Sequence, residues 1–451
     1  MTAPERIRQL EAENAELRAA LAAALDRIAR LEKNSGNSSK PPSSDIVKPK
    51  KKYKDRKPRK KKAGGQKGRK AYVRAPFPPD RVDEVVEHGW TGLDPARFVL
   101  LEGEFATTQQ VELADRPFVV TEHRFQKYLD QKTGRVVTVP RPGDVRLGLF
   151  GPRMLAFTTC LKAELHGSYS AIQSLLTDAM GLTVSTGFLA KAMGRVSAAL
   201  DGTYEQLTQT LREQDAVHVD ETGHYEAGSR WWTWGGTCPQ VAVFRIQSGR
   251  GSAQLAELLG DDFAGTVCSD SFSAYLKFAR EHPGVSSQFC WAHLIRDLRF
   301  AAEKGERFSR RWAGKVLGDV KRLFRSWHRG QIAACRRARD AVLRRCRYPG
   351  TGTDARRLGG RVWKQRAGYS RFLDRPDLGL EPTNNPAERE LRKLVLHRSA
   401  TQGTRGEAGR RWWERVFSVR ATCRKQGRSV FGYLVEAIGA AAAGGATPRL
   451  V

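Results

Sequence analysis

The chain has 451 residues, enough for about three domains at roughly 150 residues each. Lys and Arg number 78 against 48 Asp and Glu, a formal net charge of +30, and 40% of the residues are hydrophobic. That composition excludes wholesale disorder, and the charge points to a polyanionic partner, most commonly nucleic acid. No stretch reaches the ~18 apolar residues of a membrane span. Charges recur from Glu5 to Lys33, so no secretory core is expected. Seven widely spaced cysteines without a C-x-x-C give no disulfide framework. These features predict a cytoplasmic, multidomain, polyanion-binding protein.

Residues 1–34 carry Ile7, Leu10, Asn14, Leu17, Leu21, Ala24, Ile28 and Leu31 at alternating spacings of three and four. Four heptads with a polar residue at one a site predict a leucine zipper that joins copies of the chain. A single amphipathic helix packed on the rest of the protein is the alternative. Residues 35–75 form a linker and basic arm. From Lys48 to Arg74 there are 15 Lys or Arg and one acidic residue, Asp55. Within that tract Lys50, Lys51, Lys52, Arg59, Lys60, Lys61 and Lys62 are the candidate DNA-backbone contacts, held extended by self-repulsion and bound through counterion release. Such a tract carries no sequence specificity.

Residues 76–140 read as a small β-rich module, with strands in FVLLEG, FVVTEHRFQKYL and RVVTVP. Residues 141–211 turn helical. Tyr169–Leu176 and Ser185–Ala190 each start with a hydroxyl cap before an apolar helical run and are separated by Gly181-Leu182. The pattern fits a helix-turn-helix or an ordinary packed pair. Residues 212–400 then give three strands, a helix, a strand, a helix and a strand. The first run, Ala216–Asp220, ends on a carboxylate, and Gly235-Gly236 splits the next two strands. This is the order of a ribonuclease H-like α/β domain. Residues from about 294 to 375 are helical and too long for a loop, so they read as an insertion. Residues 401–451 form a C-terminal helical region whose tail, AAAAGGATPRLV, is expected to be loose.

Three carboxylates stand out by context: Asp220 and Asp270 at strand ends, and Glu388 at the start of a helix. Phosphoryl transfer on DNA needs hard oxygen ligands for Mg²⁺, and two such ions ~3.5–4 Å apart serve the attacking and leaving oxygens. Each carboxylate also has a structural alternative. Asp220 fits a strand-end turn and Asp270 a cap for a helix from Ser271. With Asn385 as N-cap and Pro386 at N1, Glu388 fits the N3 position of a capping box. Arg389 and Arg392 share the helix of Glu388 and suit phosphate clamping, as do Arg410-Arg411-Trp412-Trp413 and the Arg-dense stretch 307–347. His218 is expected on the strand face opposite Asp220. Cys290 and His293 make a C-x-x-H with no obvious second ligand pair, so zinc is not expected there.

These residues resemble the DDE transposases of bacterial insertion sequences of the IS-sixty-six type. The resemblance rests on Asn37-Ser38-Ser39-Lys40-Pro41-Pro42-Ser43-Ser44-Asp45 and His218-Val219-Asp220-Glu221-Thr222-Gly223. It continues in Ser269-Asp270 with Ala274-Tyr275, in Cys290-Trp291-Ala292-His293-Leu294 with Arg296-Asp297, and in Thr383-Asn384-Asn385-Pro386-Ala387-Glu388-Arg389. It implies that Asp220, Asp270 and Glu388 are the catalytic, metal-binding triad of a ribonuclease H-like domain, with His293 in support. It also implies Mg²⁺ as cofactor, with Mn²⁺ substituting. The implied reaction is hydrolysis at the element's ends to expose a 3′-hydroxyl, followed by attack of that hydroxyl on target DNA. Accessory proteins of the same element are implied as partners, and a nucleoid-associated location follows. The family's paired cysteines near residues 85–140 are replaced here by His88-Gly89-Trp90-Thr91-Gly92 and His123–Tyr128, so no zinc is expected in that module. Two other readings use the same features. A DNA-bridging regulatory protein would need only the zipper, arm and helical pair, and a junction resolvase would share the catalytic fold.

Overall fold

A computed structural model describes residues 3–31, 75–88, 97, 105–114, 117–140 and 148–451. The chain divides into two units, residues 50–122 and residues 1–49 with 123–451. The basic-arm residues Lys50, Lys51, Lys52, Arg59, Lys60, Lys61 and Lys62 lie outside the described residues, as do Asn37–Asp45 and the predicted strand FVLLEG. In the smaller unit, Gln109 closes a loop by bonding both the N–H and the carbonyl of Phe77.

In the larger unit, helix α1 (Ala3–Leu31) covers the heptads. Its stripe of Ile7, Leu10, Leu17, Leu21, Ile28 and Leu31 is exposed, so α1 does not bury that stripe against the other described residues. A short hairpin follows, β1 (Lys127–Leu129) with β2 (Val136–Thr138). It occupies only the end of the predicted FVVTEHRFQKYL strand. Asp130 builds its turn by accepting from the Lys132 and Thr133 N–H groups.

Four helices come next: α2 (Pro152–Glu164), α3 (Tyr169–Met180), α4 (Thr186–Ala199) and α5 (Asp201–Arg212). Ser168 and Ser185 cap α3 and α4 by accepting from Ala171 and Phe188 N–H. The first cap thus lies just ahead of the predicted start. Gly181 ends α3 at φ 64°, a left-handed conformation that glycine adopts without penalty.

The sheet is mixed, in the order β5-β4-β3-β6-β7. Strands β3 (Ala216–Glu226), β4 (Ser229–Thr237) and β5 (Ala242–Gln247) are antiparallel, and β6 (Thr266–Ser269) and β7 (Ser286–Phe289) run parallel to β3. Helices α6 (Ser252–Leu259) and α7 (Ser273–Glu281) make the connections between β5, β6 and β7. Gly235 and Gly236 do not split strands; both lie within β4. They are glycines because neighbours approach from opposite faces. A Cβ on Gly235 would stand 3.0 Å from Leu391, and one on Gly236 would stand 2.6 Å from Leu211.

Helices α8 (Trp291–Lys304), α9 (Arg307–His328), α10 (Ile332–Arg347), α11 (Thr353–Lys364) and α12 (Arg366–Asp374) build a second hydrophobic core around Leu298, Val316, Val342 and Phe372. It is fastened to β7, where Phe372 N–H donates to Gln288 Oε1 at 2.8 Å and Phe289 fills the space a side chain on Gly368 would need. Helices α13 (Asn385–Thr401), α14 (Glu407–Lys425) and α15 (Val430–Ala442) complete the chain. Helix α14 covers the sheet edge with three side chains one turn apart. Glu414, Ser418 and Thr422 accept from the N–H groups of Ile246, Phe244 and Ala242 at 2.7, 2.9 and 3.1 Å. A polar ladder of this kind closes an edge that would otherwise template pairing with another chain. The tail is not loose: Leu450 is buried, and Tyr433 Oη donates to the Pro448 carbonyl. Among the described residues, no helix is long and apolar enough to cross a membrane.

Candidate active site

Asp220 lies midway along β3 rather than at its end. The first three residues of β3 pair with β6, His218 opposite Cys268. Strand β6 then stops at Ser269, so Asp270 leaves the sheet at the level of Asp220 while β3 runs on against β4 alone. Asp270 caps a turn instead of a helix, its Oδ1 accepting from Phe272 N–H at 2.9 Å, while α7 starts at Ser273.

Glu388 comes from α13, which crosses the same sheet face. Asn384 is the N-cap, so Glu388 sits at N4 and no capping box forms. Its carboxylate, 36% exposed, turns to Arg296 Nη2 at 3.5 Å and His293 Nδ1 at 4.0 Å. The Asn384 side chain has another task. Its Nδ2 donates to the Val219 carbonyl at 2.7 Å, and its Oδ1 accepts from His218 Nδ1 at 3.0 Å. Its own N–H points at Cys290 Sγ, and Pro382 O accepts from Trp291 N–H. The loop that delivers Glu388 is therefore pinned to β3 and to the start of α8. These bonds also correct the expected orientation of His218. Side chains two apart share a strand face, so His218 lies on the side of Asp220 and faces α13.

Sequence reasoning passed over Glu221. Its side chain is 2% exposed, points to the other face, and is held by Arg250 Nε at 2.9 Å and by Tyr275 Oη. Arg250 in turn stacks on Phe272 and Trp232. The signal was an ionisable residue directly beside Asp220 in a strand with an otherwise apolar face.

The acids crowd one another. Burial raises Asp220 well above the usual carboxylate range, and the charges of Glu221, Asp270 and Glu388 add to it. Burial and Asp270 push Glu221 up to about 7 against the pull of Arg250. Burial also raises Asp270, opposed by the Phe272 N–H, Arg250, Arg296 and Arg361. Buried acids short of counter-charge suit a small hard dication. The three carboxylates do not, however, close to within 4.8 Å of one another. Among the described residues, the group of three ligand-type side chains that tight is Cys290, His293 and Glu388. Arg389 and Arg392 are exposed on α13, beside Glu388 and one turn beyond it. Such an array can hold divalent cations on its acidic floor and phosphates on its basic rim.

Two curated proteins of Sinorhizobium fredii, both named as uncharacterised, are similar to this chain. Protein y4qI is 24% identical over 80% of this chain and 72% of its own length. Protein y4hP is 26% identical over 51% of this chain and 44% of its own length. Residues 2–75 match a family of unknown function (DUF6444). Residues 147–411, which contain Asp220, Asp270 and Glu388, match the model of the transposase IS66 family. That match covers more than half of the sequence, and the chain belongs to the transposase IS66 family.

Proposed function

We propose that the protein binds the ends of its insertion sequence and catalyses Mg²⁺-dependent strand cleavage and strand transfer through Asp220, Asp270 and Glu388. The observation that carries this reading is the mutual placement of the three acids, with Asp220 within β3, Asp270 just past the end of the neighbouring β6, and Glu388 brought over the same face by α13. The strand order supports a ribonuclease H-like domain for residues 212–400, with α8–α12 as its insertion.

Asp220, Asp270 and Glu388 would hold the Mg²⁺ ions. When bound, Mg²⁺ would lower the pKa of the attacking hydroxyl and stabilise the leaving oxygen. The chain's own residues set the stage. Asn384 holds α13 on β3, and the Phe272 N–H fixes one oxygen of Asp270. Arg250 and Tyr275 keep Glu221 turned away from the DNA side. Arg389 and Arg392, with the basic arm at residues 50–62, are suited to the phosphate backbone. In the first step water attacks the phosphorus at the element's end and the 3′-oxygen leaves as a hydroxyl. In the second, that hydroxyl attacks a target phosphorus and displaces a target 3′-oxygen. The exposed stripe of α1 suits pairing of two chains, so that one assembly holds both ends.

The test is joining of a labelled oligonucleotide carrying the element's terminal sequence and a free 3′-hydroxyl to a supercoiled plasmid. It is run with this protein alone and with the products of the element's other reading frames. Joining in Mg²⁺ that disappears in Asp220→Asn and Glu388→Gln supports the reading. Joining retained in both variants contradicts it.

A further inference from the structure

The Cys290–His293–Glu388 group draws its members from two elements. Cys290 is the N-cap of α8, His293 lies in its first turn, and Glu388 is in the first turns of α13. Their ligand atoms lie within 4.8 Å of one another. His293 Nδ1 is buried and has no hydrogen-bond partner, and it faces Glu388 Oε1 at 4.0 Å. A buried ring nitrogen without a partner leaves that position free to take a ligand. The Cys290 sulfur is ringed by backbone N–H groups: that of Asn384 at 3.1 Å, and those of His293 and Ala292 from its own helix start. Those donors favour the thiolate, but burial outweighs them and pushes the Cys290 thiol up to about 11, so an arriving cation must itself displace the proton. Sulfur and imidazole select Zn²⁺-like cations over Mg²⁺, and three protein ligands suit a site with an open position.

We propose that Cys290, His293 and Glu388 form a binding site for a thiophilic divalent cation of the Zn²⁺ class, distinct in chemistry from the acidic cluster. Binding releases the thiol proton to solvent. The two sites share Glu388, so a cation held by Cys290 and His293 keeps that carboxylate from the acids of the sheet. Zn²⁺ then inhibits a Mg²⁺-dependent reaction. The binding claim stands by itself; the inhibition rests on the function proposed above.

The binding test titrates the full-length protein with Co²⁺ and follows the thiolate-to-Co²⁺ charge-transfer absorption and its displacement by Zn²⁺. The expected result is a band that appears with one equivalent, persists in Cys160→Ser and is lost in Cys290→Ser. His293→Ala should weaken Co²⁺ binding by roughly tenfold or more, the scale of losing a metal-supporting group. Circular dichroism and the unfolding midpoint establish that each variant is folded. Absence of the band in the wild-type protein, or its survival in Cys290→Ser, overturns the proposal. The second arm adds Zn²⁺ to the Mg²⁺-driven joining reaction: inhibition relieved in Cys290→Ser supports the shared carboxylate, and equal inhibition of both proteins overturns it. Failure of joining in both, with the Co²⁺ band intact, counts against the proposed function and not against the site.

Discussion

His218 Nδ1 donates to Asn384 Oδ1 at 3.0 Å, so the strand that carries Asp220 and the helix that carries Glu388 are fastened by side chains two and four positions from the acids. Burial lowers His218 to about 4, which keeps it neutral at physiological pH, and Asn384 Oδ1, which can only accept, makes Nδ1 the donor. Asn384→Ala leaves both that N–H and the Val219 carbonyl unpaired, and should cost about 1–3 kcal/mol in urea unfolding. Strand cleavage should fall further than stability does, because Glu388 loses its anchor. A variant that unfolds earlier yet cleaves normally would show that the anchor does not position Glu388.

The acidic cluster has a pH signature. Asp220, Glu221 and Asp270 all have folded-state pKa values raised above their unfolded ones, Glu221 to about 7. The metal-free folded state therefore binds more protons than the unfolded chain. Its stability from this cluster is present below the unfolded carboxylate range and is lost as pH rises through about 7 for Glu221. A dication must displace those protons, so its stabilisation should grow with pH over the same window. Ca²⁺ should raise the unfolding midpoint clearly at pH 8 and little at pH 5, and Asp270→Asn should remove most of the difference. Equal Ca²⁺ shifts at both values would mean that the cation binds elsewhere.

The Arg250–Glu221 pair is a test of burial. Arg250→Met strands a buried carboxylate and should cost about 3 kcal/mol, whereas adding Glu221→Gln should restore much of it. The check is a double-mutant cycle in chemical denaturation. Additive losses would show that the pair carries no coupling.

Gly235 lies opposite Asp220 in the β3–β4 ladder and leaves room for Leu391 of α13. Gly235→Val gains strand propensity but overpacks this contact, and should destabilise by about 1–3 kcal/mol. Combining it with Leu391→Ala should recover part of that loss, since the smaller side chain opens the space. Thermal unfolding of the four proteins decides this, and a double variant at the sum of the two losses would rule the contact out.

Local signals in the sequence were legible where the determinant is local. The heptads of α1, the Ser185 cap and the strand–helix order from Ala216 to Phe289 follow from periodicity and capping. What was misread depends on distant partners. Gly235-Gly236 looks like a break until Leu391 and Leu211 are seen to occupy the space of the missing side chains. The cap at Asn385 shifts to Asn384 because Asn384 is drawn to β3. The tail looks loose because nothing local marks the bonds that hold it, from Tyr433 to the Pro448 carbonyl and from Arg428 to the Arg449 carbonyl. Asp220 looks like a strand end because the apolar run from Ala216 stops on it, although β3 continues to Glu226 against β4. The Cys290–His293 pair has no further ligand-type residue close by in the linear sequence, whereas in the fold the Glu388 carboxylate comes within 4.8 Å of both.

The proposed function rests on the joint action of Asp220, Asp270 and Glu388 on DNA. Its most direct measurement is nicking of labelled DNA carrying the element's end, with Mg²⁺, Ca²⁺ or EDTA, by wild-type protein, Asp220→Asn, Asp270→Asn and Glu388→Gln. Binding is followed in parallel by gel shift. The expected result is nicking at the end with Mg²⁺ only, lost in all three variants while binding persists. Nicking that survives any one of the substitutions, or that ignores the end sequence and prefers branched DNA, would contradict it.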